Sequence, residues 1–135
     1  MADASDELAP VPLFAELGRR QLKKLAGLCK ERRLSAGTSP VQEGKMSGIG
    51  FFVVAEGEAV VSVGGDAVAT LKPGDHFGEI ALISEAERTA TITATTDLRL
   101  LEIAFYDFRE FAHENPDVMW KLLQHVVAMY YGNVQ

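Results

Sequence analysis

The chain has 135 residues, with 13 Lys plus Arg against 19 Asp plus Glu, a net charge of −6. That length fits one domain and excludes a large multidomain enzyme. The acidic balance excludes nucleic acid or an anionic membrane as a partner attracted by overall charge, so any bound anion must find a local positive site.

Residues 1–12 are small and acidic and end in Pro10 and Pro12, which predicts a flexible tail with Met1–Ala9 frayed. A single domain is expected over 13–135. From 13 to 33 the apolar residues Leu13, Phe14, Leu17, Leu22, Leu25, Leu28 and Cys29 recur at helical spacing, with Gly18 as a break between a short and a longer helix. Cys29 is read as a small core residue. As the lone cysteine it closes no intrachain disulfide and supplies no multi-thiolate metal site.

From 34 to 103 glycines arrive at short intervals, and the runs between them are rich in Val, Ile, Thr and Phe. That texture predicts seven or eight short strands in a sandwich or barrel. Gly64-Gly65 between Ala59–Val63 and Asp66–Thr70 reads as a tight hairpin, and Lys72-Pro73-Gly74-Asp75 as a further turn. Ile80–Ile83 is expected to form a single helical turn inside the sheet region.

Helix returns over 105–131, first from Tyr106 to His113 and then, past Asn115 as cap and Pro116 at the first helical position, from Asp117 to Tyr131. The second of these helices has almost no wholly polar face. Its apolar excess, Trp120, Tyr130 and Tyr131 above all, predicts a contact beyond its own barrel: a homodimer, or an effector, through helix 117–131. The longest apolar runs, Phe51–Ala55 and Val126–Tyr131, are too short to span a bilayer, and the acidic start is unlike a signal peptide. A cytoplasmic protein without membrane contact is therefore expected.

The stretch that carries chemistry is FGEIALISEAERTATITA, Phe77 to Ala94. Gly78 lets a ligand approach the backbone, and the first amides of the turn that follows, at Ile80 and Ala81, have no intrahelical partner and attract an anion. Arg88, if its loop folds back, forks onto the same anion. Glu79 would repel a phosphate and is better suited to accept a hydrogen bond from a hydroxyl, such as a ribose 2′ group. Phosphate plus sugar points to a nucleotide.

At these residues the sequence resembles the cyclic nucleotide-binding domain family, of the catabolite activator protein and protein kinase A regulatory subunit type. Its phosphate-binding cassette looks like FGE, a few apolar residues, a variable loop and Arg followed by a small residue and Ala; here it reads FGEIALI, SEAE and RTA. The resemblance extends to Leu13-Phe14, Gly37, Glu43-Gly44, Gly57, Pro73-Gly74-Asp75 and Asp107-Phe108. It implies a mainly β fold, an antiparallel double-stranded β-helix or jelly roll, with N-terminal helices and C-terminal lid helices. The implied ligand is cAMP or cGMP, with no other cofactor and no catalysis. Carried over, Phe77, Gly78, Ile80, Ala81 and Ala90 offer backbone contacts around the cassette, Glu79 takes the ribose 2′-OH, and Arg88 binds the cyclic phosphate. Thr89 faces the phosphate or the base; in the family a Thr there is associated with cGMP, which leaves the base open. The helix from Asp117 becomes the lid that moves with ligand.

The competing readings are weaker. A metal site of cupin type needs clustered histidines, whereas His76 has no second histidine until His113. Glu85 and Glu87 read as a solvated loop, with nothing apolar around them to raise a carboxyl pKa. The alternative from another class is a ligand-free jelly-roll interaction module that docks a partner through its C-terminal helix; a binding-dead copy would have no need of Gly78, Glu79 and Arg88 together. No output domain is visible, so the module is expected to act on a partner or to regulate a longer protein.

Overall fold

A computed structural model of the protein describes residues 4–40, 50–78 and 90–131. The N-terminal part departs from the sequence expectation. In place of a frayed end there is a short helix α1 (Ser5–Leu8) followed by a 3-10 turn, Pro12–Phe14. Leu8 and Val11 are fully buried in the core beneath the helices. Two isolated apolar residues flanked by prolines give no periodic signal, so their burial is a tertiary effect. A second contact holds the segment: Glu7 takes both Arg99 Nη atoms, at 2.6 and 3.2 Å, and this bidentate pairing pushes the guanidinium's pKa further above the ordinary arginine value.

Helix α2 (Arg19–Leu28) starts at Gly18, whose N–H donates to Gln21 Oε1 at 2.9 Å. The expected continuation to Arg33 is wrong. Cys29 is already extended and Lys30–Leu34 forms strand β1, paired antiparallel with Leu98–Glu102. The run KERR has no apolar pattern to hold a helix on a surface, and backbone pairing decides its state. Its charges also suit an edge strand, where they discourage pairing with foreign chains.

The remaining strands are β2 (Gly50–Glu56), β3 (Ala59–Val63), β4 (Asp66–Leu71), β5 (His76–Phe77), β6 (Thr91–Ala94) and β7 (Leu98–Ala104). They form two antiparallel sheets, one in the order β1-β7-β2-β5 and one in the order β4-β3-β6. Successive side chains of a strand point to opposite faces. On β2, Phe51 and Val53 therefore enter the core shared with the helices, while Phe52 and Val54 enter the core shared with the second sheet. Leu101 and Ile103 against Leu98 and Leu100 divide β7 in the same way. Burial on both faces is why Phe51–Ala55 of β2 reads as an uninterrupted apolar run.

The turns behave as the residues predict. Gly64 and Gly65 both take positive φ, 61° and 87°, as a primed hairpin turn requires. Pro73 and Gly74 (φ 95°) make a type II turn closed by the Asp75 N–H on the Lys72 carbonyl at 2.9 Å. Gly74 N–H donates to Val54 O and Val54 N–H to Asp75 O, both at 2.9 Å, so this turn is bolted to β2 and aims β5.

After β7 come α3 (Phe105–Glu114) and α4 (Pro116–Tyr131). Phe108, Phe111, Val118 and Leu122 pack beneath them with Phe14, Leu25 and Phe51. Asn115, expected to cap α4, turns its side chain the other way: Nδ2 donates to Phe111 O at 2.9 Å, closing the end of α3. The carbonyls at a helix end lack intrahelical donors, and this amide satisfies one of them.

Two predictions follow from the packing. Phe52, fully buried between the sheets, should cost about 3–5 kcal/mol when replaced by Ala, read as a lowered urea midpoint with an unchanged slope. Burial, with the Glu7 charge adding to it, pushes the Cys29 thiol up to about 12 from an ordinary 9.0. The folded state thus holds the thiol proton more tightly than the unfolded chain, a contribution intact below pH 9 and lost as pH climbs toward 12. Over that window the urea midpoint of the parent should fall more steeply than that of Cys29→Ala; parallel curves would contradict the assignment.

Candidate functional site

The candidate site is framed by the two strands on either side of residues 79–89. Upstream, among the described strands β5 is the last of its sheet and pairs only briefly with β2, Phe52 opposite Phe77 and Val53 opposite His76. Phe77 is buried and stacked on Phe52, ring centroids 4.9 Å apart and 13° from parallel. The His76 ring lies on the other face of the same short strand, 5.2 Å from the Phe51 ring. One strand thus places an aromatic ring in each core, and that anchorage determines where the chain leaves the sheet. It leaves at Gly78, whose φ of 95° lies in the left-handed region that side chains avoid.

Downstream, the described chain resumes at Ala90, half-buried on a bend, and continues into β6, the last of the other sheet among the described strands. β6 pairs with β3 from Thr91 opposite Ser62 to Ala94 opposite Ala59. Residues 37–39 brace its outer side: Gly37 N–H donates to Ala94 O at 2.7 Å, Ala94 N–H donates to Thr38 O at 2.8 Å, and the Ser39 and Thr93 hydroxyls are 2.8 Å apart. The two ends of the connection, Gly78 and Ala90, therefore follow β5 of one sheet and precede β6 of the other, and Phe52, Phe77 and Ile92 share the core between those sheets.

Of the residues singled out from the sequence, Phe77, Gly78 and Ala90 are placed at the two ends of this connection. Glu79, Ile80, Ala81, Arg88 and Thr89 lie outside the described residues, as does the turn expected over Ile80–Ile83. Among the described residues no three His, Cys, Asp or Glu side chains gather into a metal-binding group. No helix among them is long and apolar enough to cross a membrane.

Sequence reasoning missed the polar links that join the N-terminal helices to the α3–α4 junction. Gln21 Nε2 donates to Asn115 Oδ1 at 2.6 Å, Lys24 pairs with Glu114, and Lys121 Nζ is 2.7 Å from Glu16 Oε1. Partners so far apart in the chain leave no local signal. The same is true of Arg99, whose side chain is only 14% exposed and which collects Glu56 at 3.3 Å and Glu31 at 3.5 Å in addition to Glu7.

The family model for the cyclic nucleotide-binding domain matches residues 31–115, from β1 to the α3–α4 junction and straight through residues 79–89. The chain belongs to the cyclic nucleotide-binding domain family. It is 41% identical over 95 residues to a cAMP-dependent protein kinase regulatory subunit of Yarrowia lipolytica, covering 69% of this chain and 25% of that protein. In three dimensions it resembles the catabolite activator protein of Thermus thermophilus with a TM-score of 0.79 and 27% identity, over 87% of this chain and 57% of the other. A cAMP-bound PfPKA-R fragment aligns with a TM-score of 0.75 and 26% identity, over 90% and 45% respectively. The chain thus spans about a quarter of the curated relative's length. The two sheets and flanking helices described above are the jelly-roll arrangement of these cyclic nucleotide-binding domains.

Proposed function

We propose that this domain is a sensor for a cyclic nucleotide, with cAMP as its ligand, and that it binds the ligand without transforming it. The observation that carries the reading is the coincidence of the family match with the motif FGE…RTA, entered through a left-handed Gly78 between two anchored sheet edges. Similarity to a cAMP-dependent kinase regulatory subunit and to a cAMP-bound fragment favours cAMP over cGMP.

In this reading the Arg88 guanidinium and the backbone amides at Ile80 and Ala81 neutralise the cyclic phosphate, an interaction of two formal charges and several oriented dipoles. Glu79 accepts from the ribose 2′-OH. Phe77, Gly78 and Ala90 set the backbone path, and Thr89 faces the phosphate or base. Bound ligand changes the packing of α4, and the free energy passed on equals at most the ligand's preference for one helix arrangement over the other. The output belongs to a partner or to a larger protein in which this module is regulatory.

The exposed side of α4 supports a partner. Val118 and Leu122 are buried, whereas Trp120 (62% exposed), Leu123 (51%) and Val127 (38%) form a stripe at i, i+3 and i+7 on solvent. The side chains of Tyr130 and Tyr131, counted in the same apolar excess, lie outside those described. A second copy of the chain packed along this stripe is the proposed occupant.

Thermal unfolding with cAMP at about a hundred times its dissociation constant should show roughly 2.7 kcal/mol of added stability, a rise of several degrees in Tm. Arg88→Ala should bind cAMP about ten- to a hundred-fold more weakly by calorimetry, since it loses at least one charge-assisted hydrogen bond. A full-strength Arg88→Ala would overturn the Arg88 assignment, and no shift with either cAMP or cGMP would return the chain to the ligand-free interaction reading. Light scattering at micromolar concentration should give a dimer mass that Trp120→Glu reduces to the monomer; a monomer with and without ligand would eliminate the α4 contact.

A further inference from the structure

The elbow between α3 and α4 holds two clefts of opposite character. On one side Glu16, Glu114 and Asp117 line a cleft together with Lys121 and Gln21. The other side is a cleft of about 260 Å³ walled by Phe108, Ala112, Met119 and Leu122, with Arg109 and His113 at its rim and no carboxylate in its lining. Arg109 and His113 are one helical turn apart, so their side chains stand side by side on α3. Both are exposed, and neither forms an ion pair with any described residue. In a protein with a net charge of −6, this cleft is a concave apolar surface whose only basic or acidic lining residues are Arg109 and His113.

Apolar walls with a few convergent polar groups are the make-up of a small-molecule site, and junctions between helices are a common place for one. The volume is just below the range usual for drug-sized ligands, which limits the occupant to a short chain or single ring. A planar guanidinium matches a carboxylate with two parallel hydrogen bonds. We propose that this elbow cleft binds a small amphipathic carboxylate. Its hydrocarbon part lies against Phe108, Ala112 and Leu122, and its anionic end rests on Arg109 with His113 as a second donor. Its lining includes none of Phe77, Gly78 and Ala90, and the proposal does not depend on the nucleotide reading. An occupant there wedges the angle between α3 and α4, the two helices that meet at Asn115 and Pro116.

Sodium octanoate is the probe, with octylamine and octanol as matched controls, titrated into the isotope-labelled full chain and followed by amide chemical shifts. Octanoate should give saturable shifts concentrated in residues 108–122 and bind more tightly than either control. Arg109→Gln should weaken octanoate roughly three- to ten-fold, a solvent-exposed pairing being worth less than a buried one, and leave octanol unchanged. Ala112→Leu should fill the cleft and abolish the octanoate shifts while the remaining amide spectrum stays that of the parent. Should that variant fail to fold, Met119→Trp at the exposed mouth of the cleft serves the same purpose. Octylamine binding as tightly as octanoate, an Arg109→Gln titration equal to the parent's, or octanoate shifts lying outside 108–122 would each overturn the assignment.

Discussion

Strand β2 has to satisfy two cores at once, and most of the architecture depends on how its side chains alternate. Phe51 and Val53 close the layer under the helices; Phe52 and Val54 close the layer between the sheets. A register slip of one residue would exchange the two sets, so the pairing of β2 with β7 and β5 is strongly specified. The same strand carries the site: Phe77 stacks on Phe52, and the turn at Pro73-Gly74 is hydrogen bonded to Val54. Gly78 is held where it is because its two predecessors are anchored to β2 by pairing and ring contacts.

Around this centre the helical parts share a buried apolar layer that includes Leu8, Phe14, Leu25, Phe108, Phe111, Val118 and Leu122, and polar contacts join them nearer the surface. Gly18 N–H donates to Gln21 Oε1, Gln21 Nε2 to Asn115 Oδ1, and Asn115 Nδ2 to Phe111 O, a chain of bonds from the start of α2 to the end of α3. The flanking pairs Lys24–Glu114 and Lys121–Glu16 are largely solvent-exposed and contribute little energy each. Such exposed links add little to the cost of rearranging the α3–α4 junction, most of which is set by the apolar residues buried beneath it. Arg99, by contrast, is held by three carboxylates and mostly withdrawn from water, and ties α1 to the sheet.

The charge distribution gives the chain's acidity a purpose. A molecule with a net charge of −6 repels anions in general, so an anionic ligand is retained only where oriented donors outweigh that field. In the proposed nucleotide site those donors are backbone amides and Arg88; in the proposed elbow site they are Arg109 and His113.

The legible features were those set by local chemistry. Paired glycines in a hairpin, Pro-Gly in a type II turn, helical spacing before and after a glycine-rich β region, and the motif from Phe77 to Ala94 each express a conformational or chemical demand within a few residues. Charged residues at 30–33 became a strand because β7 offered backbone partners, and Leu8 and Val11 became core because Glu7 met Arg99. Gln21 met Asn115, and Arg109 and His113 came to rim an acid-free cleft, through contacts between distant segments. By itself the sequence determined the turns, the broad order of helical and β regions and the cassette motif, since these depend on neighbours along the chain. Only the tertiary structure decided which polar groups pair and which apolar residues stay exposed, because those outcomes depend on neighbours in space.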